Sequence, residues 1–159
     1  MMSGYYEKPE ATVEATRNLW YHYGDYGRYD ESGFLYFIDR KKECMRRRGE
    51  NVSAAEVEAV VNRYAGVLES AASGVWSELG EEEIKISIIL KEGARVEPLD
   101  LLRFCEEDLP WYAVPRYLEF REELPRTPTG KVAKYRLKEE GIHDRLWDSV
   151  AAGYQVRRR

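Results

Sequence analysis

Between Ile84 and Leu90 the chain reads Ile-Lys-Ile-Ser-Ile-Ile-Leu, and this alternation limits the fold more than any other stretch. A period of two sends Ile84, Ile86, Ile88 and Leu90 to one face of a strand and Lys85 and Ser87 to the other, the pattern of a half-buried strand. Such a strand needs an apolar cover, and two segments can provide it. Ser53 with Glu56 makes a capping box, and Val57, Val60, Val61 and Tyr64 then recur at helical spacing, so 54–64 reads as an amphipathic helix. Pro98 opens a second helix whose Leu101, Leu102, Cys105 and Leu109 share a face.

Further strands fit beside the first. The stretch 67–76 is a strand kept narrow by Ala71, Ala72, Ser73 and Gly74, which lets a helix lie close, and 117–120 is a third short strand after a loop framed by Pro110 and Pro115. Upstream, the turn signal Asp30-Glu31-Ser32-Gly33 makes 27–38 a hairpin, and Gly49-Glu50-Asn51 reads as the tip of a second one. A short helix fits 12–17. The order of elements predicts an α+β fold: a small mixed β-sheet of about three strands flanked by helices and preceded by β-hairpins. The expected division is 1–41, 42–140 and a C-terminal tail 141–159 whose final arginines are frayed. Residues 1–38 carry aromatic side chains without a core of their own, and a segment like that packs on something larger.

Several classes fall away early. A net charge of −4 gives no global pull toward nucleic acid, and no aromatic residues interleave the basic run Arg40–Arg48 as single-strand binding requires. No apolar run approaches the roughly 20 residues of a membrane span. The first residues lack a secretory pattern, and Cys44 and Cys105 have no metal-type spacing, so the chain reads as a reduced, cytoplasmic protein without a structural metal.

Chemistry concentrates in "PRTPTGKVAKYRL", residues 125–137. A phosphate loop of the form GxxxxGK[ST] is excluded, because Pro125 stands at the first glycine and Val132 at the hydroxyl position. What remains is Lys131 on a loop stiffened by Pro125 and Pro128 and freed at Gly130: either a solvated lysine or a compact charge able to bridge two anionic groups. The run "RKKECMRRRGENVS" is either a solvated face or a basic hairpin touching one nucleotide-like ligand. Gly24-Asp25 is a turn former, or a carboxylate placed for ribose hydroxyls.

Taken in order, "YGDYGRYDESGFLYFIDRKKECMRRRGENVSAAEVEAVV" and "YAVPRYLEFREELPRTPTGKVAKYRL" resemble the C-terminal part of adenylate-forming acyl-CoA synthetases, the superfamily of acyl-CoA ligases, luciferases and peptide-synthetase adenylation domains. The resemblance runs from residue 2 to about Leu137, and the ordered set GD, DR, GENVS, PR and PxTxxGK carries it. It implies two half-reactions: a carboxylate attacks the α-phosphate of ATP to give an acyl-adenylate and pyrophosphate, and the thiolate of coenzyme A then displaces AMP. It also implies a small domain that rotates between them.

Residue by residue, the resemblance assigns Asp25 and Arg40 to the ribose of ATP or AMP and makes Lys42 the hinge. Gly49, Glu50 and Asn51 become the tip that enters the thioester-forming site beside the pantetheine channel, and Lys131 becomes the adenylation lysine. Tyr23 stands where the family usually has Thr. The large N-terminal domain with the phosphate loop, the adenine and Mg2+ sites and the acyl pocket has no counterpart here, and residues 1–38 match its tail end. The expected partners are that large domain, a small carboxylic acid and coenzyme A, in fatty acid metabolism or a crotonobetaine/carnitine-like branch. The isolated chain is expected to be inactive. The alternative is an interaction module that docks on a separate large domain, or self-associates through its exposed front segment.

Overall fold

A computed structural model describes residues 3–77 and 80–157. In chain order its elements are α1 (Pro9–Ala15), β1 (Asp25–Tyr29), β2 (Leu35–Arg40), β3 (Met45–Arg47), β4 (Glu50–Val52) and α2 (Ala54–Val61). They continue with β5 (Val67–Trp76), β6 (Glu82–Leu90), α3 (Pro98–Asp108), β7 (Tyr117–Arg121), α4 (Lys134–Glu139) and β8 (Trp147–Asp148). The chain divides into two units, Met1–Lys42 and Glu43–Arg159.

The first unit is built on one antiparallel hairpin, β1 with β2. Its turn follows from Asp30, whose carboxylate accepts from the amides of Ser32 and Phe34 and from the Tyr36 hydroxyl, each at 2.9 Å. The turn closes through Gly33 at φ +82°, a conformation that side-chain-bearing residues seldom adopt. Apolar side chains stay outside: Phe34, Leu35 and Phe37 are all more than 60 % exposed.

In the second unit, four strands in the order β5-β6-β7-β8 form the main sheet among the described residues. β5 and β6 are antiparallel neighbours, as their adjacency in sequence permits, whereas β7 runs parallel to β6 after the crossover through α3. Ile84, Ile86 and Ile88 of β6 pack under α2 and α3, with Val57, Val61, Leu101, Leu102 and Cys105 fully buried against them. Each such side chain contributes about 1.5–3 kcal/mol of burial. Burial also pushes the Cys105 thiol up to about 12, with nearby Asp108 adding to it.

The half-buried reading of β6 is corrected here, since both faces are covered. Lys85 and Ser87 are wholly inaccessible. The far face is closed by α4 and the residues before it, with Leu137, Leu124 and Ala71 forming a second core cluster against Val132 and Ile89. The small side chains of β5 serve both layers: Ala72 joins the first core and Ala71 the second. Lys85 survives burial because its ammonium donates to the carbonyls of Leu137 at 2.6 Å and Gly141 at 3.3 Å. Burial still lowers its pKa, opposed by the charges of Glu119 and Glu140.

Other boundaries shift for local reasons. α2 ends at Val61 rather than Tyr64, because Arg63 and Tyr64 bond three residues back, to Val60 and Val61, and tighten the last turn. The tail is ordered instead of frayed through Arg157. Trp147 pairs with Leu118 in β8, Arg116 grips Asp148 with two donors at 2.9 and 3.0 Å, and the Arg157 amide donates to Glu106. Arg158 and Arg159 lie outside the described residues. No helix among the described residues is long and apolar enough to cross a membrane.

Candidate functional site

Asp25 opens β1 and Arg40 ends β2, so the two occupy opposite positions in the register. Their side chains form an ion pair at 3.1 Å, and the Lys41 amide closes the hairpin onto the Gly24 carbonyl at 2.8 Å. Arg40 is 59 % exposed and Asp25 29 % exposed. A carboxylate and a guanidinium held side by side at a surface can accept from and donate to vicinal hydroxyls. Lys42 is the last residue of the first unit, and Glu43 begins the second.

β3 and β4 form a two-residue hairpin whose tip is Arg48-Gly49, with φ +54° and +85°. Glu50 and Asn51, expected at the tip beside Gly49, lie on β4 opposite Arg47 and Arg46. The pair of positive φ values is the geometry of the turn that matches strand twist, which explains the displacement by one residue. Among the described residues nothing lies within 4 Å of where a Gly49 side chain would start. Arg48 stacks its guanidinium over Trp111 at 4.9 Å.

Two residues seat this hairpin: Glu82, which the sequence reading passed over, and Arg47, which it read only as part of a solvated or ligand-touching basic run. Arg47 is buried, pairs with Glu83 of β6 at 2.7 Å, and donates to the carbonyls of Tyr112 and Val114. Glu82 accepts the Arg46 amide at 2.8 Å and pairs with Lys138 of α4. The signal for Glu82 was only a carboxylate at the start of an apolar strand, and Arg47 was one arginine among several.

Lys131 sits on a loop closed on itself. The Thr127 amide donates to the Lys131 carbonyl at 2.7 Å, Ala133 to Pro125 at 2.7 Å and Gly130 to Thr127 at 2.9 Å, with a bridge between Arg126 and Val132. Gly130 takes φ +82°. Among the described residues no hydrogen bond or ion pair takes up the exposed Lys131 ammonium. Three residues on, Lys134 is engaged on both sides, at 2.9 Å from Glu58 of α2 and 3.0 Å from Glu43. Burial alone would lower the Lys134 pKa, yet Glu58 and Glu43 outweigh it and hold it raised.

Glu119, Glu140 and His143 bring ligand atoms within 4.8 Å of one another. Arg121 pairs with both carboxylates and the Lys85 charge lies close, so this group already has its cations and does not suit a divalent metal. The site residues thus fall into two groups: Asp25, Arg40 and Lys42 in the first unit, and Gly49, Glu50, Asn51 and Lys131 in the second.

Residues 56–131 match the family model of the AMP-binding enzyme C-terminal domain. A crotonobetaine/carnitine–CoA ligase of Salmonella arizonae is 40% identical over 139 residues, covering 87% of this chain and 27% of that protein. A long-chain-fatty-acid–CoA ligase of Escherichia coli O157:H7 is 41% identical over 140 residues, 88% of this chain and 25% of that one. Among solved structures, the o-succinylbenzoate CoA synthetase MenE of Bacillus subtilis with its acyl-adenylate intermediate superposes with TM-score 0.80 at 30% identity, covering 87% of this chain and 28% of that one. ATP-bound MatB from Rhodopseudomonas palustris gives 0.78 at 29%, with 87% and 28% covered. The chain spans about a quarter of the length of the curated relatives it matches.

Proposed function

Because residues 56–131 belong to the family of AMP-binding enzyme C-terminal domains, we propose that this chain is the C-terminal part of an ATP-dependent acyl-CoA synthetase. The reaction joins a carboxylic acid, ATP and coenzyme A into acyl-CoA, AMP and pyrophosphate through an acyl-adenylate. The observation that carries the proposal is Lys131: an ammonium without a partner among the described residues, on a loop closed by backbone hydrogen bonds at Thr127, Gly130 and Ala133.

Attack of a carboxylate on the α-phosphate brings two anions together, so positioning and charge stabilisation dominate catalysis. Lys131 supplies one positive charge between the carboxylate and the α-phosphate oxygens. Asp25 accepts from the ribose hydroxyls, and Arg40 holds Asp25 in place while donating to the same sugar. Once the adenylate exists, the second unit turns about Lys42. That motion withdraws Lys131 and brings the Arg48-Gly49 tip, with Glu50 and Asn51 behind it, to the path of the pantetheine thiol. Gly49 leaves room there because it carries no side chain, while Arg48 beside it turns its guanidinium onto Trp111. The thiolate attacks the acyl carbonyl and AMP leaves.

The adenine pocket, the acyl pocket and any Mg2+ belong to the large domain, which selects the acid. The exposed Phe34, Leu35 and Phe37 of the first unit suit packing on that domain, and a second copy of this chain is the alternative occupant. Acid-dependent ATP–pyrophosphate exchange tests the proposal. The 159-residue chain alone should show none, and adding a large adenylation domain of the same family should restore it. Exchange by the chain alone, or none on reconstitution with a domain it binds, contradicts the proposal.

A further inference from the structure

We propose that Arg126 is a positioning residue for Lys131, acting through Glu69. This rests on Lys131 being the adenylation lysine.

Gly130, which precedes Lys131, is the weak point of the loop. At φ +82°, with nothing among the described residues within 4 Å of its would-be side chain, it offers no steric restraint on the peptide plane that leads into Lys131. Arg126 provides that restraint. One terminal nitrogen of its guanidinium donates to the Gly130 carbonyl at 3.1 Å, and the other reaches Glu69 of β5 at 2.6 Å. The first contact holds the Gly130–Lys131 peptide plane, and with it the direction in which the lysine stem leaves the backbone. The second ties that plane to the main sheet. A planar fork with donors at fixed separation suits this double duty better than a point charge on a flexible stem.

The bridge is not needed for the fold. Arg126 is 47 % exposed and Glu69 34 % exposed, and surface pairs of this kind contribute little to stability. The loop itself is anchored independently, by Leu124 and Val132 in the second core cluster and by the backbone bonds at 125–133. What the bridge adds is orientation, and a misplacement of about 1 Å at a reacting group can cost on the order of a hundredfold in rate.

The test uses the complete ligase in which this chain supplies the C-terminal domain, with both half-reactions measured separately. Arg126→Met and Glu69→Gln should each lower kcat for ATP–pyrophosphate exchange by about tenfold, with KM for ATP and the melting temperature nearly unchanged. Thioester formation from preformed acyl-adenylate should stay within about twofold of the parent, and the double variant should lose no more than Arg126→Met alone. Exchange within about twofold of the parent in Arg126→Met, or equal loss of both half-reactions, overturns the proposal, as do additive losses in the double variant. Lys131→Ala separates this from its premise: if exchange survives that change too, the adenylation role of Lys131 itself fails.

Discussion

Asp25 and Arg40 stand opposite each other across β1 and β2, at the open end of the hairpin, with their charges 3.1 Å apart. The pair is exposed enough that its worth to stability is below about 1 kcal/mol, so its placement calls for another explanation. Asp25→Ala in the complete ligase should therefore raise KM for ATP by about ten- to hundredfold, the loss of about 1.5–3 kcal/mol of charge-assisted hydrogen bonding to a ribose. Its melting temperature should hardly move. Titration of ATP–pyrophosphate exchange against ATP checks this, and an unchanged KM would remove Asp25 from the nucleotide site.

Gly49 makes a different kind of prediction, because its surroundings are open and only its backbone is demanding. Gly49→Ala should destabilise the second unit by about 1–2 kcal/mol through the left-handed conformation alone. Gly49→Asn should cost less, since asparagine visits that region more readily. Urea unfolding of the two variants measures the difference. Equal stability for glycine and alanine would mean that the turn does not hold φ +85° in solution.

Acid sensitivity follows from two carboxylates. The hydrogen bond from Arg121 holds Glu140 below its ordinary 4.5. Burial would raise Asp148, but the hydrogen bonds and charge of Arg116, together with the backbone amides of Val150 and Ala151, hold it below 3.8. A depressed carboxylate stabilises the fold above its unfolded pKa and loses that contribution as pH falls through its folded value. Thermal melts should thus drop as pH falls below about 4.5, and Glu140→Gln should flatten part of the drop while melting below the parent above about pH 6, where the ionised carboxylate contributes fully. An identical acid slope in that variant would contradict the Arg121 assignment.

Much of this architecture was legible because it depends on local rules. The Asp30 turn, the Ser53 cap, the narrow β5 and the Pro98 start each announce themselves within a few residues. Contacts distant in sequence were not. The Asp25–Arg40 pairing needed the hairpin to extend two residues beyond its apolar stretch at each end. Lys85 looked like the solvent face of a strand, and only the carbonyls of Leu137 and Gly141, more than fifty positions away, make it a buried residue. The tip of the second hairpin shifted by one residue because Arg48 takes a positive φ that its side chain does not advertise. The final arginines looked like a frayed end, yet the Arg157 amide is held by Glu106, and before it Trp147 and Asp148 join the main sheet beside Leu118 and Tyr117.

The account turns on two faces of one unit serving two reactions in sequence, and one paired measurement addresses that directly. In the complete ligase, Lys131→Ala and Gly49→Leu are each assayed for acyl-adenylate formation and for thioester formation from preformed acyl-adenylate. The expected pattern is crossed: the lysine variant loses the first by at least about a hundredfold and keeps the second, while the glycine variant keeps the first and loses the second. If either variant depresses both half-reactions alike, the two faces do not divide the work and the alternation proposed here is wrong.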